Sequence, residues 1–291
     1  MRIKLTGVAK QYKKGIYALK PAELEIGEGM FGLIGRNGAG KTTLLRILAT
    51  AQDASEGTVS YDGRTIPEDI SAIRNEIGYL PQSTKLIPHM NVAEFLDYVC
   101  VLKGMKEKKR RREEIKRLLS LVGLEGEEKK KLSKYSGGML RRAGIAQALI
   151  GDPKLLIVDE PTTGLDPEER NYFLNLLSRL AAGRTILFST HITADIENLC
   201  EHICVLEKGE IKYQGQTEAF LDTVRNRVYS CEAEPEKEEQ LRNTLCITRA
   251  AVQKGKLMLR YIADEPSLPG SVEEDAVLED AYIAILGGIK R

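Results

Sequence analysis

The chain has no tryptophan, aromatic residues make up only 5% of it, and no uninterrupted apolar run approaches the roughly 18 residues that a membrane helix needs. A membrane-spanning helix is therefore not expected, and if the protein works at a membrane, something else is expected to cross it. Charge of one sign is lacking too. The formal net charge is +1, so the polyelectrolyte signature of a nucleic-acid binder is missing and no nucleic-acid partner is expected. Cysteine is sparse, scattered and odd in number, at Cys100, Cys200, Cys204, Cys231 and Cys246, which fits reduced thiols in a cytoplasm rather than a disulfide framework. Cys200 and Cys204 flank His202, but no second ligand pair stands at zinc spacing, so a helix end and its following strand is the preferred reading. The first residues lack the apolar stretch of a signal peptide.

What is present is 42% hydrophobic residues over 291 positions, enough for one large domain or one domain plus a small one. Residues 35–42 read Gly-Arg-Asn-Gly-Ala-Gly-Lys-Thr, after an apolar strand at 30–34 and before a helical stretch at 42–49. This is the phosphate loop in its strand–loop–helix setting. Its glycines let backbone N–H groups turn inward as an anion nest at a helix N-terminus. Lys41 then reaches β- and γ-phosphates, and the Thr42 hydroxyl is a ligand for Mg²⁺. The chain is read as binding a nucleoside triphosphate.

Strands are expected at 2–8, around 24–26, at 57–61 and 77–80, with a turn at 13–15. Helical spacing of apolar residues marks 92–102 and 115–122, separated by a basic run at 106–112 that reads as a solvated helix face in preference to a lipid contact. The apolar run 155–159 ends in a carboxylate, as a parallel strand buried on both faces does. A helix carrying Phe173, Leu176, Leu177 and Leu180, a strand at 185–189, a helix carrying Ile192, Ile196 and Leu199, and a hairpin at 204–213 follow. Strands alternating with helices after a phosphate loop mean a mainly parallel α/β sheet. Beyond residue 221 the charge turns to −3, and a strand at 228–233, a helix at 237–245, a hairpin at 247–262 and a helix at 276–286 form a small α+β unit.

More elements follow in fixed order: Tyr79-Leu80-Pro81-Gln82; then Tyr135-Ser136-Gly137-Gly138-Met139 opening a helix as a second anion nest; then Asp159-Glu160-Pro161, Gly164-Leu165-Asp166-Pro167 and Ser189-Thr190-His191. In order and spacing, residues 1–220 resemble the ATP-binding subunits of ABC transporters. The resemblance implies an ABC-type P-loop ATPase domain at 1–221, with a mainly parallel sheet core, an N-terminal antiparallel β subdomain and a helical signature subdomain at about 83–150, followed by the C-terminal α+β unit at 222–291.

The same resemblance assigns roles. Asp159, Thr42 and Gln82 attend Mg²⁺. Glu160 polarises the attacking water, Gln82 senses the γ-phosphate and couples to a membrane subunit, and His191 contacts the γ-phosphate. ATP is held by Gly35, Asn37, Gly38, Ala39, Gly40, Lys41, Thr42 and Thr43, while Ser136, Gly137 and Gly138 bind the ATP of the opposite subunit and Asp166 lies at the dimer interface. Tyr12, with Tyr17 as fallback, stacks on adenine. The physics agrees: phosphoryl transfer needs positioning and positive potential, and Glu160 is the carboxylate beside Asp159 at the strand end.

The family's usual signature is Leu-Ser-Gly-Gly-Gln, and Tyr135 and Met139 depart from it. Tyr-Ser-Gly-Gly-Met, with a C-terminal helix at 273–287, resembles the ABC-2 group of exporters. The implied protein is a homodimeric ATPase on the inner face of a membrane, driving a separate permease that docks near Gln82 and residues 83–105. Soluble relatives of the chromosome-maintenance kind need a long coiled-coil insertion, for which the 95 residues from Lys41 to Ser136 are too few. A module that binds ATP without hydrolysing it would not need Glu160 and His191. Import and export are not separated by the ATPase sequence alone, although export is favoured.

Overall fold

The structure, a computed structural model, describes residues 1–13, 15–83 and 86–287. Lys14 of the expected turn, Thr84 and Lys85 of the expected permease-facing stretch, and the last four residues of the C-terminal unit lie outside the described residues.

A six-stranded sheet forms the centre, in the order Glu210–Gln216, His202–Glu207, Gly29–Ile34, Thr185–Thr190, Leu155–Asp159, Ile77–Leu80. The strands from His202–Glu207 onward are parallel, and Glu210–Gln216 returns antiparallel as an edge hairpin. Every residue of Leu155–Asp159 and Thr185–Thr190 is buried, as the apolar runs 155–158 and 186–188 at their centres require when both faces are covered. Each such Leu, Ile or Val contributes about 1.5–3 kcal/mol by leaving water.

An antiparallel sheet of Ile16–Ile26, Ile3–Lys13, Glu56–Tyr61 and Arg64–Thr65 covers one side. Ile3 and Leu5 are buried while Lys4 is exposed, so alternation turns the apolar face onto Leu44, Leu45 and Leu48 of the helix Lys41–Leu48. Its first two strands run longer than their apolar cores because backbone pairing continues through polar residues to Gln11 opposite Tyr17 and Lys13 opposite Ile16.

The helical region follows its caps. Asn91 and Glu94 form a reciprocal capping box at Val92–Leu102, with Glu94 N donating to Asn91 Oδ1 at 2.9 Å and Asn91 N to Glu94 Oε2 at 3.0 Å. Lys108–Leu121 packs beside it through Ile115, Leu118 and Leu119. The signature helix is Gly137–Ala148, and Pro167–Leu180 starts on Asp166 with proline in its first turn.

The C-terminal unit is a sheet of Cys246–Gln253, Lys256–Ile262, Val228–Ala233 and Val272–Glu273 with its own core of Tyr229, Cys231, Leu257, Leu259 and Tyr261. Its last helix, Leu278–Gly287, packs the other way. Leu278, Ala281, Tyr282 and Ala284 join the main core with Ile196 and Phe220.

Candidate functional site

The site stands at the carboxyl ends of the parallel strands. Ile34 pairs with Thr190, Asp159 with Ser189, and Leu80 with Val158, so the segments beginning at Gly35, Pro81, Glu160 and His191 emerge side by side. This is where open α/β sheets bind ligands.

Gly38 (φ 81°) and Gly40 (φ 107°) take the left-handed backbone that turns the phosphate loop into its helix. Space enforces glycine as well: a Cβ on Gly40 would lie 2.4 Å from Ala18 O, and one on Gly35 2.5 Å from Leu206 O. Ala39 is buried, its N–H donating to Arg36 O at 3.1 Å. The loop borders a cavity of about 320 Å³ lined by Ala18, Arg36, Asn37, Gly38, Gly40, Lys41, Thr42, Thr43, Gln82 and Glu160. Lys41 is buried, and its Nζ donates to Gly35 O at 2.5 Å and Arg36 O at 3.3 Å.

Across the cavity Glu160 is buried at the start of a left-handed turn (φ 48°), a conformation a side chain adopts at a cost of order 1–3 kcal/mol. Its backbone N–H is anchored to Ser189 O (3.2 Å) and Ser189 Oγ (3.0 Å). Its carboxylate meets Lys41 Nζ at 3.0 Å, His191 Nδ1 at 2.7 Å and the Thr163 hydroxyl at 2.9 Å. Burial pushes the Glu160 pKa up, but Lys41, His191 and Thr163 together hold it below the usual carboxylate range. Asp159 goes the opposite way: burial raises it, against the Ser189 and Thr42 hydroxyls. Ser189 Oγ donates to Asp159 Oδ1 at 2.7 Å, while Oδ2 is buried with no hydrogen-bond partner. An orphaned buried carboxylate oxygen beside a threonine hydroxyl is a donor set suited to a hard cation.

Gly35 to Thr43, Gln82, Asp159, Glu160 and His191 thus form one site. Ser136, Gly137 and Asp166 are exposed, and neither they nor Gly138 line its cavity. Ser136 Oγ accepts from Met139 N at 3.2 Å as a helix cap, and Asp166 Oδ1 accepts from Glu169 N at 2.9 Å as another. A Cβ on Gly138 would stand 2.5 Å from the Glu169 carboxylate, which would have to swing aside. Tyr12 is 58% exposed, exchanges hydrogen bonds with Gln52 and lies near Thr43, while Tyr17 bonds Glu56. Neither ring lines the cavity. Cys200 and Cys204 are buried thiols pushed up to about 12 by burial.

Several residues around the site carry no motif of their own. Arg141, on the signature helix, donates to Glu160 O (2.8 Å) and Thr163 O (2.6 Å) and so ties that helix to the acidic turn. Buried Asp195 accepts from Thr162 Oγ1 (2.7 Å) and from Arg170 Nε (2.6 Å). The signal for these was adjacency: Arg141 follows Ser-Gly-Gly and Thr162 follows Glu160-Pro161, but only folding brings Arg170 to Asp195.

A phosphate loop at the carboxyl edge of a parallel sheet, facing a buried Asp–Glu pair at the end of the strand one beyond its neighbour, defines a P-loop ATPase. The profile of the ABC transporter family matches residues 19–163. The chain is 35% identical over 281 residues, 91% of each chain, to the Nod factor export ATP-binding protein I of Cupriavidus metallidurans. It is 39% identical over 224 residues to an uncharacterized ABC transporter ATP-binding protein of Synechocystis, covering 74% of this chain and 62% of that one. Among solved structures it is similar to a dimeric ATP-binding cassette in a post-hydrolysis state bound to ADP and Pi, with TM-score 0.67 and 30% identity over 74% of this chain and 98% of that one. The chain belongs to the ABC transporter ATP-binding proteins. It is an ATP-binding ATPase subunit of that kind, a kind that dimerises and pairs with permease subunits. Among the described residues no helix is long and apolar enough to cross a membrane.

Proposed function

We propose that two copies of this chain close on two Mg-ATP and drive a separate exporter permease from the inner face of a membrane. The observation that carries the dimer is the division of the site. Lys41 and Glu160 face one cavity with His191 bonded to Glu160, while the helix N-terminus at Ser136 and Gly137 points its unused N–H groups at solvent, where a second copy's γ-phosphate can receive them. Export is favoured by the 35% identity along 91% of the chain to a Nod factor export protein.

Thr42, Asp159 and Gln82 would hold Mg²⁺, with the orphaned Asp159 Oδ2 as the supporting feature. Bound there, the ion would neutralise charge on the β- and γ-phosphate oxygens. Lys41 leaves Glu160 for the phosphates, and Glu160 then orients water and accepts its proton. His191 and the nest N–H groups stabilise charge on the γ-phosphate. Asp166 sits at the dimer seam, and Tyr12 contacts adenine by moving its exposed ring over the cavity mouth beside Thr43. Residues 1–221 are the motor, 222–291 an attached unit, and the permease docks near Gln82 and residues 83–105.

The test is the size-exclusion mass of Glu160→Gln with and without Mg-ATP. Doubling on ATP is expected, and Ser136→Arg should abolish it. A persistent monomer with ATP bound, both alone and with the permease present, would overturn the shared-site reading.

A further inference from the structure

The helix Thr193–Glu197, which begins two residues after His191, is held on three sides. Asp195 is buried and bonds Thr162 and Arg170, on the segment that leaves Glu160. Ile196 is buried against the strand of the phosphate loop so closely that a Cβ on Gly32 would stand 2.8 Å from Ile196 Cδ1. The third hold comes from far along the chain: Glu197 Oε1 accepts from Leu278 N at 3.2 Å, at the N-terminus of the last helix. A carboxylate there satisfies an otherwise unpaired N–H and meets the positive end of the helix dipole. Leu278, Ala281 and Tyr282 of the same helix are buried in the core that contains Ile196.

That last helix is itself fixed to its own sheet. Arg260 Nη2 bonds Asp280 Oδ2 at 2.7 Å, and Val277 N donates to the same oxygen at 3.0 Å. Burial, with Glu207, pushes the Tyr282 hydroxyl pKa up, against Arg36.

We propose that the C-terminal unit is a positioning element of the ATPase site. Through Glu197 the helix Leu278–Gly287 sets Thr193–Glu197 and with it the reach of His191 to Glu160. A small-to-moderate movement of the C-terminal sheet then changes the hydrolysis rate, with no change in the groups that touch ATP. This rests on the role given above to His191.

The test is a cycle in the full chain of Glu197→Ala, Glu197→Gln, His191→Ala and the double His191→Ala/Glu197→Ala, read as kcat, KM for ATP and Tm. Glu197→Ala should lower kcat about three- to ten-fold with KM and Tm near wild type. Glu197→Gln, whose amide oxygen still accepts from Leu278 N, should recover most of that. In the His191→Ala background Glu197→Ala should cost nothing further, because the group it positions is gone. An unchanged kcat in Glu197→Ala overturns the proposal, as does a loss that adds fully to that of His191→Ala or that tracks a fall in Tm. A wild-type kcat in His191→Ala would instead overturn the reading of His191 on which the proposal depends.

Discussion

Glu160→Gln separates what the carboxylate does to ATP binding from what it does to hydrolysis. Lys41 Nζ lies 3.0 Å from Glu160 Oε1, with both side chains about 5% exposed. At that distance and an effective dielectric constant of about 20 the gross attraction is about 5–6 kcal/mol. Keeping both ions out of water offsets most of it, leaving on the order of 1–3 kcal/mol. ATP must draw Lys41 away from this partner and place its γ-phosphate beside a like charge. Glutamine keeps the shape and the acceptor for Thr163 but removes both obstacles. The Kd for ATP should therefore fall by about 5- to 150-fold. Loss of the base should lower kcat by about 10²- to 10⁴-fold. Equilibrium binding of a fluorescent ATP analogue gives the first quantity, and phosphate release at saturating Mg-ATP gives the second. An unchanged or weaker Kd would refute the Lys41–Glu160 pair as a competitor of ATP. A kcat within about ten-fold of wild type would refute Glu160 as the water-orienting group.

Arg141→Ala removes the bonds to Glu160 O and Thr163 O and should lower kcat about ten-fold with KM little changed. Arg141→Lys should not restore it, since one ammonium cannot span two carbonyls as the guanidinium fork does; full recovery in the lysine variant would count against that role. For Asp280, burial raises the pKa, but Arg260, Thr248 and the Val277 N–H outweigh it and leave the carboxyl below its usual range. A depressed folded value stabilises the protein above the ordinary aspartate range of about 3.9, and that stabilisation is lost as pH falls below it. Asp280→Asn should therefore cost about 1–3 kcal/mol at pH 7 and progressively less in acid. Denaturant titration followed by circular dichroism, which does not need the absent tryptophan, measures this, and a pH-independent difference would contradict it.

The phosphate loop, the buried parallel strands and the family were legible because each is local. Three glycines with a lysine at fixed offsets force a nest, and an unbroken apolar run such as residues 155–159 has no solvated face to alternate with. Strand ends were less legible: pairing of Gln11 with Tyr17 is backbone chemistry that side-chain pattern does not record. The short helix Thr217–Asp222 carries too few turns to show a period.

By itself, the sequence picked out the phosphate loop and the Asp159-Glu160 pair, because their residue types and spacing are what phosphate chemistry demands. Only the tertiary structure decided which of these groups meet: Lys41 with Glu160, Glu160 with His191, and Asp159 Oδ2 with no hydrogen-bond partner. It also decided that the last helix of the C-terminal unit would begin against Glu197, 81 residues earlier in the chain. Such contacts depend on where whole elements pack, and no spacing in the chain encodes that.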